Sequence, residues 1–446
     1  MCHRDHVLIL SRTCRGFCRR RENPPRRPSE NRGIPAMTAA NAHVPACPIT
    51  HPLDLGPDGV NRPGLYPHAL YHELREAENG VHQVVRSNGS PAFLVTRYDD
   101  VLTVLRDQAT FSRKEALEED DIDLDGTILG LDDAEHAAVR GVVADHFTPR
   151  AVRRLGPRIE AAASAQLAHL LEAGEPADLM ESYALPYALN VISDLFGLPA
   201  QDRSRFRAWG EAFLATSALS RSEAADAQLA MIGYLATLIE RRRSRPGDDL
   251  LSTIAARGAA LPPDQLLKLP LALLVGGWET TASSIGTFTQ VLLSHPYDDH
   301  ETAYAYLAEH PESVEPALVE LQRMFTTAAA DALPRRATRD TVLPSGARLR
   351  AGDLVIPSHV TANYDPRVFP DPHRMTFTRA PNRHLSFGHG AHHCIGRHLS
   401  HTEISAAMSV LLRELPTLRL AVPAEDLQRK TGQIIAGPVS VPVAWT

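Results

Sequence analysis

The chain has 446 residues and a formal net charge of −7 at pH 7. This length accommodates two or three small domains or one large domain, and the negative charge argues against nucleic acid as a partner. No run approaches the roughly 18 consecutive apolar residues of a membrane-spanning helix, so we expect no transmembrane segment. Four of the five cysteines lie in the first 47 residues and leave Cys394 alone in the rest of the chain. We therefore expect no disulfide framework and a reducing cytoplasm as the setting.

The first 36 residues differ in composition from the rest of the chain. They carry nine arginines against three acidic residues, and their Arg, Pro and Asn content cannot build a packed core. We interpret residues 1–36 as a basic, disordered tail or as a non-native extension upstream of Met37. Residues 37–446 are then a single domain.

The first predicted elements are short. In chain order, the sequence predicts a helix at 68–78, strands at 81–85 and 92–95, and a helix from 97 to about 112. No periodicity holds from 113 to 131, and the acidic run Glu-Glu-Asp-Asp within it is typical of a solvated loop.

A helix is predicted next, and it closes at residues 147–150. His136 and Arg140 lie four apart in it and share one face, which on its own suits two surface residues. Residues 151–245 follow as successive amphipathic helices.

The segment from 264 to 295 is apolar almost throughout and predicts a long, buried helix. Its middle contains Gly276, Gly277, Glu279 and Thr280. Two adjacent glycines weaken a helix by up to about 1 kcal/mol each, so their presence needs a reason. Thr280 can donate a hydrogen bond to the carbonyl of Gly276, which would loosen this turn and open a notch for oxygen and water. A kinked packing helix is the alternative.

Charged residues mark two further segments. Glu320 and Arg323 lie three apart on one predicted helix, a spacing typical of an ion pair. The run Arg-Arg-Ala-Thr-Arg-Asp at 335–340 predicts a β region.

The stretch from Phe387 to Gly396 reads Phe-Gly-His-Gly-Ala-His-His-Cys-Ile-Gly. Its glycines allow a sharp turn and a close approach to a flat partner. Cys394 precedes a predicted helix, whose free N–H groups and dipole favour thiolate over thiol. A cysteine in this position can also be a small core residue. The surrounding histidines admit a zinc site, although paired cysteines are absent.

The order Phe-Gly-x-Gly-x-His-x-Cys-x-Gly resembles the haem-binding loop of the cytochrome P-450 family. The resemblance implies a mainly α fold with small β-sheets that encloses one haem b. It makes Cys394 the axial ligand of the iron and His392 a partner of a propionate. Phe387 would shield the sulfur, and Gly396 would leave room for the porphyrin. A thiolate ligand pushes electron density onto iron and favours O–O cleavage.

The resemblance also extends to separate parts of the chain. It implies that His136, Arg140 and Arg335 bind propionates, with Arg336 as the second choice for the third position. Glu279 would be a proton source, and Thr280 would hold the donor network on the distal side of the haem. The resemblance adds Arg374 as a third member of the Glu320–Arg323 pair. It makes 113–131 a loop on the distal side of the haem, whose acids suggest a basic group on the substrate. It also implies that 326–333 and 434–438 form walls of the substrate pocket.

The implied function is a haem-thiolate monooxygenase that activates O2. Because no reductase is fused to the chain, electrons would come from NAD(P)H through a ferredoxin reductase and a ferredoxin. The substrate would be a small organic molecule of secondary metabolism, and the reaction hydroxylation. Oxidative coupling on the same haem, as C–C or aryl bond formation, is an alternative, and a haem-based sensor is another.

Overall fold

The computed structural model describes residues 49–50, 67, 69–86, 88–119, 123–214, 219–327, 331, 333–430 and 435–446. The chain divides into two units, Met1–Thr50 and His51–Thr446. Of the first unit, Ile49–Thr50 forms a two-residue strand, β1. The predicted tail at 1–36 lies outside the described residues.

The second unit is mainly helical. Its described α-helices are α1 (Ala69–Glu76), α2 (Tyr98–Arg106), α3 (Asp133–Val143), α4 (Pro149–Ala173), α5 (Leu185–Phe196), α6 (Arg203–Leu214), α7 (Arg221–Ser244), α8 (Leu250–Arg257), α9 (Pro263–Ser294), α10 (Ala303–Glu309), α11 (Val314–Met324), α12 (His359–Ala362) and α13 (Arg397–Glu414). Within the described ranges, none of these helices combines the length and the hydropathy needed to cross a bilayer.

The strands of the second unit are short and form small sheets. They are β2 (Val81–Val85), β3 (Pro91–Val95), β4 (Phe111–Ser112), β5 (Ala177–Asp178), β6 (Arg335–Ala337), β7 (Thr341–Val342), β8 (Arg348–Leu349), β9 (Leu354–Pro357), β10 (Arg419–Leu420) and β11 (Pro442–Ala444). One sheet has the order β2-β3-β9-β6-β4, a second has β10-β11-β5, and β7 pairs with β8. Strand β9 runs parallel to β3 and antiparallel to β6, with Arg335 opposite Val355.

The long apolar helix is present as predicted. Helix α9 has 32 residues, and at roughly 1.5 Å each it is about 48 Å long. It packs against α5, α7 and α13, and most of its residues are buried. Because it contacts so many elements, α9 fixes the position of the Gly276–Thr280 turn in the second unit.

Two predicted boundaries are wrong. The helix predicted to end near residue 112 ends at Arg106, because Phe111 and Ser112 pair instead with β6. The helix predicted to close at 147–150 ends at Val143 and passes into a 3₁₀ turn. Pro149 then starts α4, with Thr148 as its N-cap, since proline is favoured in the first turn of a helix.

Candidate active site

A large cavity in the second unit brings together most of the predicted site residues. It lies between α3, α9, α13 and the loop before α13. Seven of the nine predicted residues line it: His136, Arg140, Thr280, Phe387, His392, Cys394 and Gly396. The other two, Glu279 and Arg335, are not part of its lining. Residues 258 positions apart in the sequence therefore share one cavity.

The loop that carries Cys394 is held in a tight turn. Gly388 and Gly390 have φ values of 66° and 73°, in the left-handed region that favours glycine. A Cβ on Gly390 would lie 2.5 Å from the carbonyl oxygen of Leu105, so no side chain fits there. The Cys394 N–H donates to the Phe387 carbonyl at 2.8 Å, and this bond closes the loop.

Cys394 faces the cavity, and its side chain is therefore exposed although protein surrounds it. Burial raises the pKa of the thiol above its usual value, and the N–H groups of Gly396 and Arg397 and the charge of Arg140 only partly oppose this. The N–H groups at the start of α13, which begins at Arg397, do lower the pKa of the thiol, but burial outweighs them. A coordinating metal ion would supply the missing charge, since metal binding deprotonates a thiol outright.

Two histidines and an arginine form a basic group at the cavity. The rings of His136 and His392 lie 4.2 Å apart between centroids. Burial and then the charges of His392 and Arg140 lower the pKa of His136 to about 4. Arg140 donates to the His393 carbonyl at 2.8 Å, which ties α3 to the cysteine loop. Among the described groups, the buried Nε2 atoms of His136 and His392 have no hydrogen-bond partner, and the nearest carboxylate oxygen to the latter, on Asp132, is 3.5 Å away.

Arg335 and Arg336 are neighbours on β6, and their side chains lie in different surroundings. Arg336 donates to the carbonyls of Glu115 and Gly352 and is committed to the protein scaffold. Arg335 is buried, and its charge lowers the pKa of His136, His392 and His359. Of the two arginines, Arg335 is therefore the one beside the basic group.

His359 is a cavity residue that the sequence did not single out. It lines the cavity at the start of α12, and its buried Nε2 has no hydrogen-bond partner among the described residues. Burial and the charge of Arg335 lower its pKa to about 4. Nothing in its local sequence distinguishes it, because only the pairing of β9 with β6 brings it close to Arg335.

The two adjacent glycines of α9 are each needed for a different structural reason. The predicted hydrogen bond from Thr280 Oγ1 to the Gly276 carbonyl is present at 2.7 Å. A Cβ on Gly276 would meet nothing within 4 Å, so this glycine keeps the cavity wall open. A Cβ on Gly277 would lie 2.8 Å from Ile192, so that glycine allows α5 to approach.

Glu279 is turned away from the cavity lining toward Lys430. The Lys430 ammonium group contacts Glu279 Oε1, and the two side chains are 15% and 2% exposed. The sequence did not predict Lys430, because 151 residues separate the two partners. The expected proton source is therefore held in an ion pair with Lys430, in the C-terminal part of the chain.

The remaining cavity walls are mostly apolar. Their side chains from the 113–131 loop are Leu124, Ile128 and Leu129. The acids of that loop that are described do not line the cavity, so they give the expected basic substrate group no support; residues 120–122 lie outside the described part of the chain. Of the predicted walls at 326–333 and 434–438, Thr326, Thr327, Leu333 and Ile435 line the cavity. Residues 328–330, 332 and 434 lie outside the described part of the chain.

A buried charge cluster ties α11 to the segment from 376 to 382, which precedes the cysteine loop. Glu320 accepts from Arg323 at 2.8 and 2.9 Å, and both side chains are fully buried. The assignment of Arg374 as third member is wrong. Arg379 donates to Glu320 at 3.0 Å and also to the carbonyl of Arg374, which contributes its backbone to the cluster.

Known proteins resemble this chain over most of its length. A family model described as Cytochrome P-450 matches residues 312–433. The mycinamicin IV hydroxylase/epoxidase of Micromonospora griseorubida is 37% identical over 390 residues, 86% of this chain and 96% of that protein. The chain belongs to the cytochrome P-450 family.

Other members of the family agree in sequence and structure. The nocardicin C N-oxygenase of Nocardia uniformis subsp. tsuyamanensis is 37% identical over 85% of this cytochrome P-450 and 95% of its own length. The structure of HinD with NMFT and NO superposes with a TM-score of 0.82 at 36% identity, and covers 90% of this chain and all of that one. The enzyme is accordingly a cytochrome P-450 monooxygenase.

Family membership implies a haem cofactor, and the cavity of this cytochrome P-450 suits one. Its cysteine thiol faces the cavity, and its open wall at Gly276 lies on α9. The buried Nε2 atom of His136, which has no protein partner, and that of His392, which lies 3.5 Å from Asp132, provide with Arg140 the donors that a pair of carboxylates requires. Within the described chain, no set of three or more His, Cys, Asp and Glu side chains could hold a metal ion, which leaves the zinc alternative without support.

Proposed function

We propose that the Cys394 sulfur would ligate the iron of a haem b and that His136, Arg140, Arg335 and His392 would bind its propionates. The observation that carries this proposal is the meeting of Cys394 and Thr280 in one cavity with the basic group of His136, Arg140 and His392. Phe387 would shield the sulfur, and Gly396, whose Cβ would lie 3.9 Å from it, would leave the porphyrin room. When bound, the haem would supply the reductive activation of O2.

The chain's own residues would control water and protons around that group. The Thr280 hydroxyl donates to Gly276, so its oxygen lone pairs are left to accept a hydrogen bond from a water molecule in the cavity. Ser284 donates to the Thr280 carbonyl at 2.8 Å and fixes the next turn. The apolar side chains of Leu124, Ile128 and Leu129 would exclude bulk water.

The proposed substrate is a small, largely apolar organic molecule, and the proposed reaction is hydroxylation in the tailoring of a secondary metabolite. The apolar cavity walls support this class, as do relatives with names such as mycinamicin IV hydroxylase/epoxidase. NAD(P)H, a ferredoxin reductase and a ferredoxin would supply the electrons, and we propose the cytoplasm as the compartment.

The ligand assignment is tested by the carbon monoxide spectrum of the reduced holoenzyme. We expect the red-shifted Soret band of thiolate coordination in the natural protein and its loss in Cys394→Ser. His401→Gln, on the side of α13 that contacts Glu315, is the matched control and should keep the band. Retention of the band in Cys394→Ser would overturn the assignment. Substrates would then be sought by titrating a compound panel and following oxygen incorporation from isotopically labelled O2.

Oxidative coupling is the second candidate. A cytochrome P-450 described as having biaryl coupling reactivity is 32% identical to this chain and superposes with a TM-score of 0.78 over 89% of it. The product mass separates the two reactions, because coupling joins two carbons without adding oxygen from O2.

We also propose that residues 37–446 form one cytochrome P-450 domain. The alignment with the mycinamicin enzyme, which takes in 86% of this chain, supports this extent. Mass spectrometry of the native protein would test this extent. A native chain that begins at residue 1 would refute the interpretation of residues 1–36 as a non-native extension upstream of Met37.

A further inference from the structure

His359 is a histidine of the cavity that the proposed haem contacts do not include. It is the first residue of α12, directly after the N-cap Ser358, and its side chain lines the cavity. Its buried Nε2 atom has no hydrogen-bond partner among the described protein groups. A buried polar atom without a partner costs free energy, so a group bound in the cavity would complete the surroundings of this nitrogen.

The fold brings His359 close to Arg335. Strand β9 pairs with β6 so that Val355 lies opposite Arg335, and His359 follows Val355 by four residues. Burial and then the charge of Arg335 lower the pKa of His359 to about 4. After the larger effect of burial, the charge of Arg335 also lowers the pKa of His136 and of His392. Arg335 is therefore near both His359 and the basic group at the cysteine loop.

The hydrogen-bond donors at the cavity accordingly form two sets. The first set is His136 and Arg140 on α3 with His392 in the cysteine loop, where the two imidazole rings are in contact. The second set is Arg335 on β6 and His359 on α12. A haem b carries two propionates, and each carboxylate accepts several hydrogen bonds. The two sets of donors therefore match the two carboxylates.

The neutral state of His359 suits its place beside Arg335. Because its pKa is about 4, the imidazole is uncharged at pH 7 and carries one N–H group. A neutral donor adds a hydrogen bond without adding a second positive charge, so it avoids like-charge repulsion with the guanidinium group.

We propose that His359 donates a hydrogen bond from Nε2 to the haem propionate that Arg335 binds, while His136, Arg140 and His392 bind the other propionate. This inference rests on the proposed function and deepens it, because it adds a haem contact and divides the donors between the two carboxylates. The added hydrogen bond would hold the haem more tightly. By offsetting part of a negative charge near the iron, it would also raise the reduction potential.

Resonance Raman spectroscopy of the ferric holoenzyme tests this contact, because the bending bands of the propionates shift when a hydrogen bond to the carboxylate is lost. His359→Leu should shift one propionate band, and His136→Leu should shift the other. His359→Gln should keep the natural bands, since its side-chain amide can place an N–H group where Nε2 lies. His373→Leu, which replaces an exposed histidine, is the matched control and should change neither band.

Two results would overturn the inference. Unchanged bands in His359→Leu would remove the contact, and a shift of the same band in His359→Leu and His136→Leu would contradict the division of the donors. Should His359→Leu not fold, His359→Met is the second variant, and it must shift the same band because it also lacks the N–H donor.

Haem release and the reduction potential give a second measure. A hydrogen bond to a charged group changes a rate by about tenfold or more, so haem transfer to excess apomyoglobin should be about tenfold faster from His359→Leu than from the natural protein. The reduction potential should fall, and His359→Gln should restore both properties. A change in substrate affinity alone, with natural haem release, would assign His359 to the substrate pocket and overturn the inference. A natural holoenzyme without the thiolate Soret band would instead refute the proposed ligand, and the propionate bands would still decide the role of His359.

Discussion

Arg379→Met removes the third member of the charge cluster around Glu320 while keeping its apolar stem. Arg379 Nε lies 3.0 and 3.1 Å from the two carboxylate oxygens of Glu320. Its guanidinium also donates to the carbonyls of Pro370, Asp371 and Arg374 at 2.7, 3.3 and 3.2 Å. One side chain therefore holds the segment from 370 to 379 against α11.

The expected loss follows from these contacts. A hydrogen bond to a charged group contributes about 1.5–3 kcal/mol, and bonds to neutral carbonyls about 0.5–1.5 kcal/mol each. The Arg379 side chain is only 10% exposed, so solvent screens little of this. Glu320 keeps Arg323 and Asn382 and is not left unpaired. The bonds to the carbonyls of Asp371 and Arg374 are long, so we expect a loss at the lower end of these values, about 3 kcal/mol in the free energy of unfolding.

Urea unfolding of the holoenzyme, followed by tryptophan fluorescence and by the Soret band, measures this loss. For an m-value of about 3 kcal/mol/M, the midpoint should fall by roughly 1 M. Arg374→Met is the matched control, because its side chain is exposed and only its carbonyl takes part; its effect should stay within about 0.5 kcal/mol. Equal shifts in the two variants would refute the corrected assignment.

Three further predictions concern other parts of the site. Gly390→Ala places a Cβ 2.5 Å from a backbone carbonyl oxygen at a φ of 73° and should lower the melting temperature. In Gly276→Ala the new Cβ meets nothing within 4 Å, and the melting temperature should rise because alanine favours the helix by about 1 kcal/mol. Shifts of the same sign in the two variants would contradict this prediction. Lys430→Met leaves Glu279 buried without its partner and should cost about 3–5 kcal/mol in urea unfolding, most of which the added Glu279→Gln should restore; a double variant no more stable than Lys430→Met would contradict the pairing. Burial and the charge of Arg397 lower the pKa of His384 from 6.5 to about 4. The unfolded chain binds the extra proton in that window, so stability should fall as pH drops from 6.5 to 4, and His384→Leu should flatten this dependence in unfolding measured at each pH.

The sequence predicts most reliably what local spacing determines. Helix α9 begins and ends within one residue of its predicted bounds, because its apolar character is nearly continuous. The bond between Thr280 and Gly276 follows from a separation of four residues in a helix. The cysteine loop is equally local, since its glycines and Cys394 act within ten residues.

Contacts between distant segments are what the sequence misses. Arg374 and Arg379 are both plausible partners for Glu320 by position, and only the fold of the segment between them selects Arg379. Lys430 and Glu279 meet because Lys430, Gly437 and Pro438 all lie against α9. Helix α2 ends early for the same kind of reason, because the pairing of Phe111 with β6 outweighs its helical pattern.

The C-terminal part of the chain links the cavity wall that would select substrates to the ion pair of Glu279 on α9. Ile435 forms part of the wall that would select substrates, and Lys430 in the same segment binds the acid of α9. Gly437 sits so close to α9 that a Cβ would lie 2.5 Å from Ser283, which prevents the segment from shifting to accommodate change. Mutations introduced here to broaden substrate selectivity would consequently disturb the Lys430–Glu279 ion pair as well. Variant libraries at these positions therefore need screening for NAD(P)H consumed without product, alongside screening for new products.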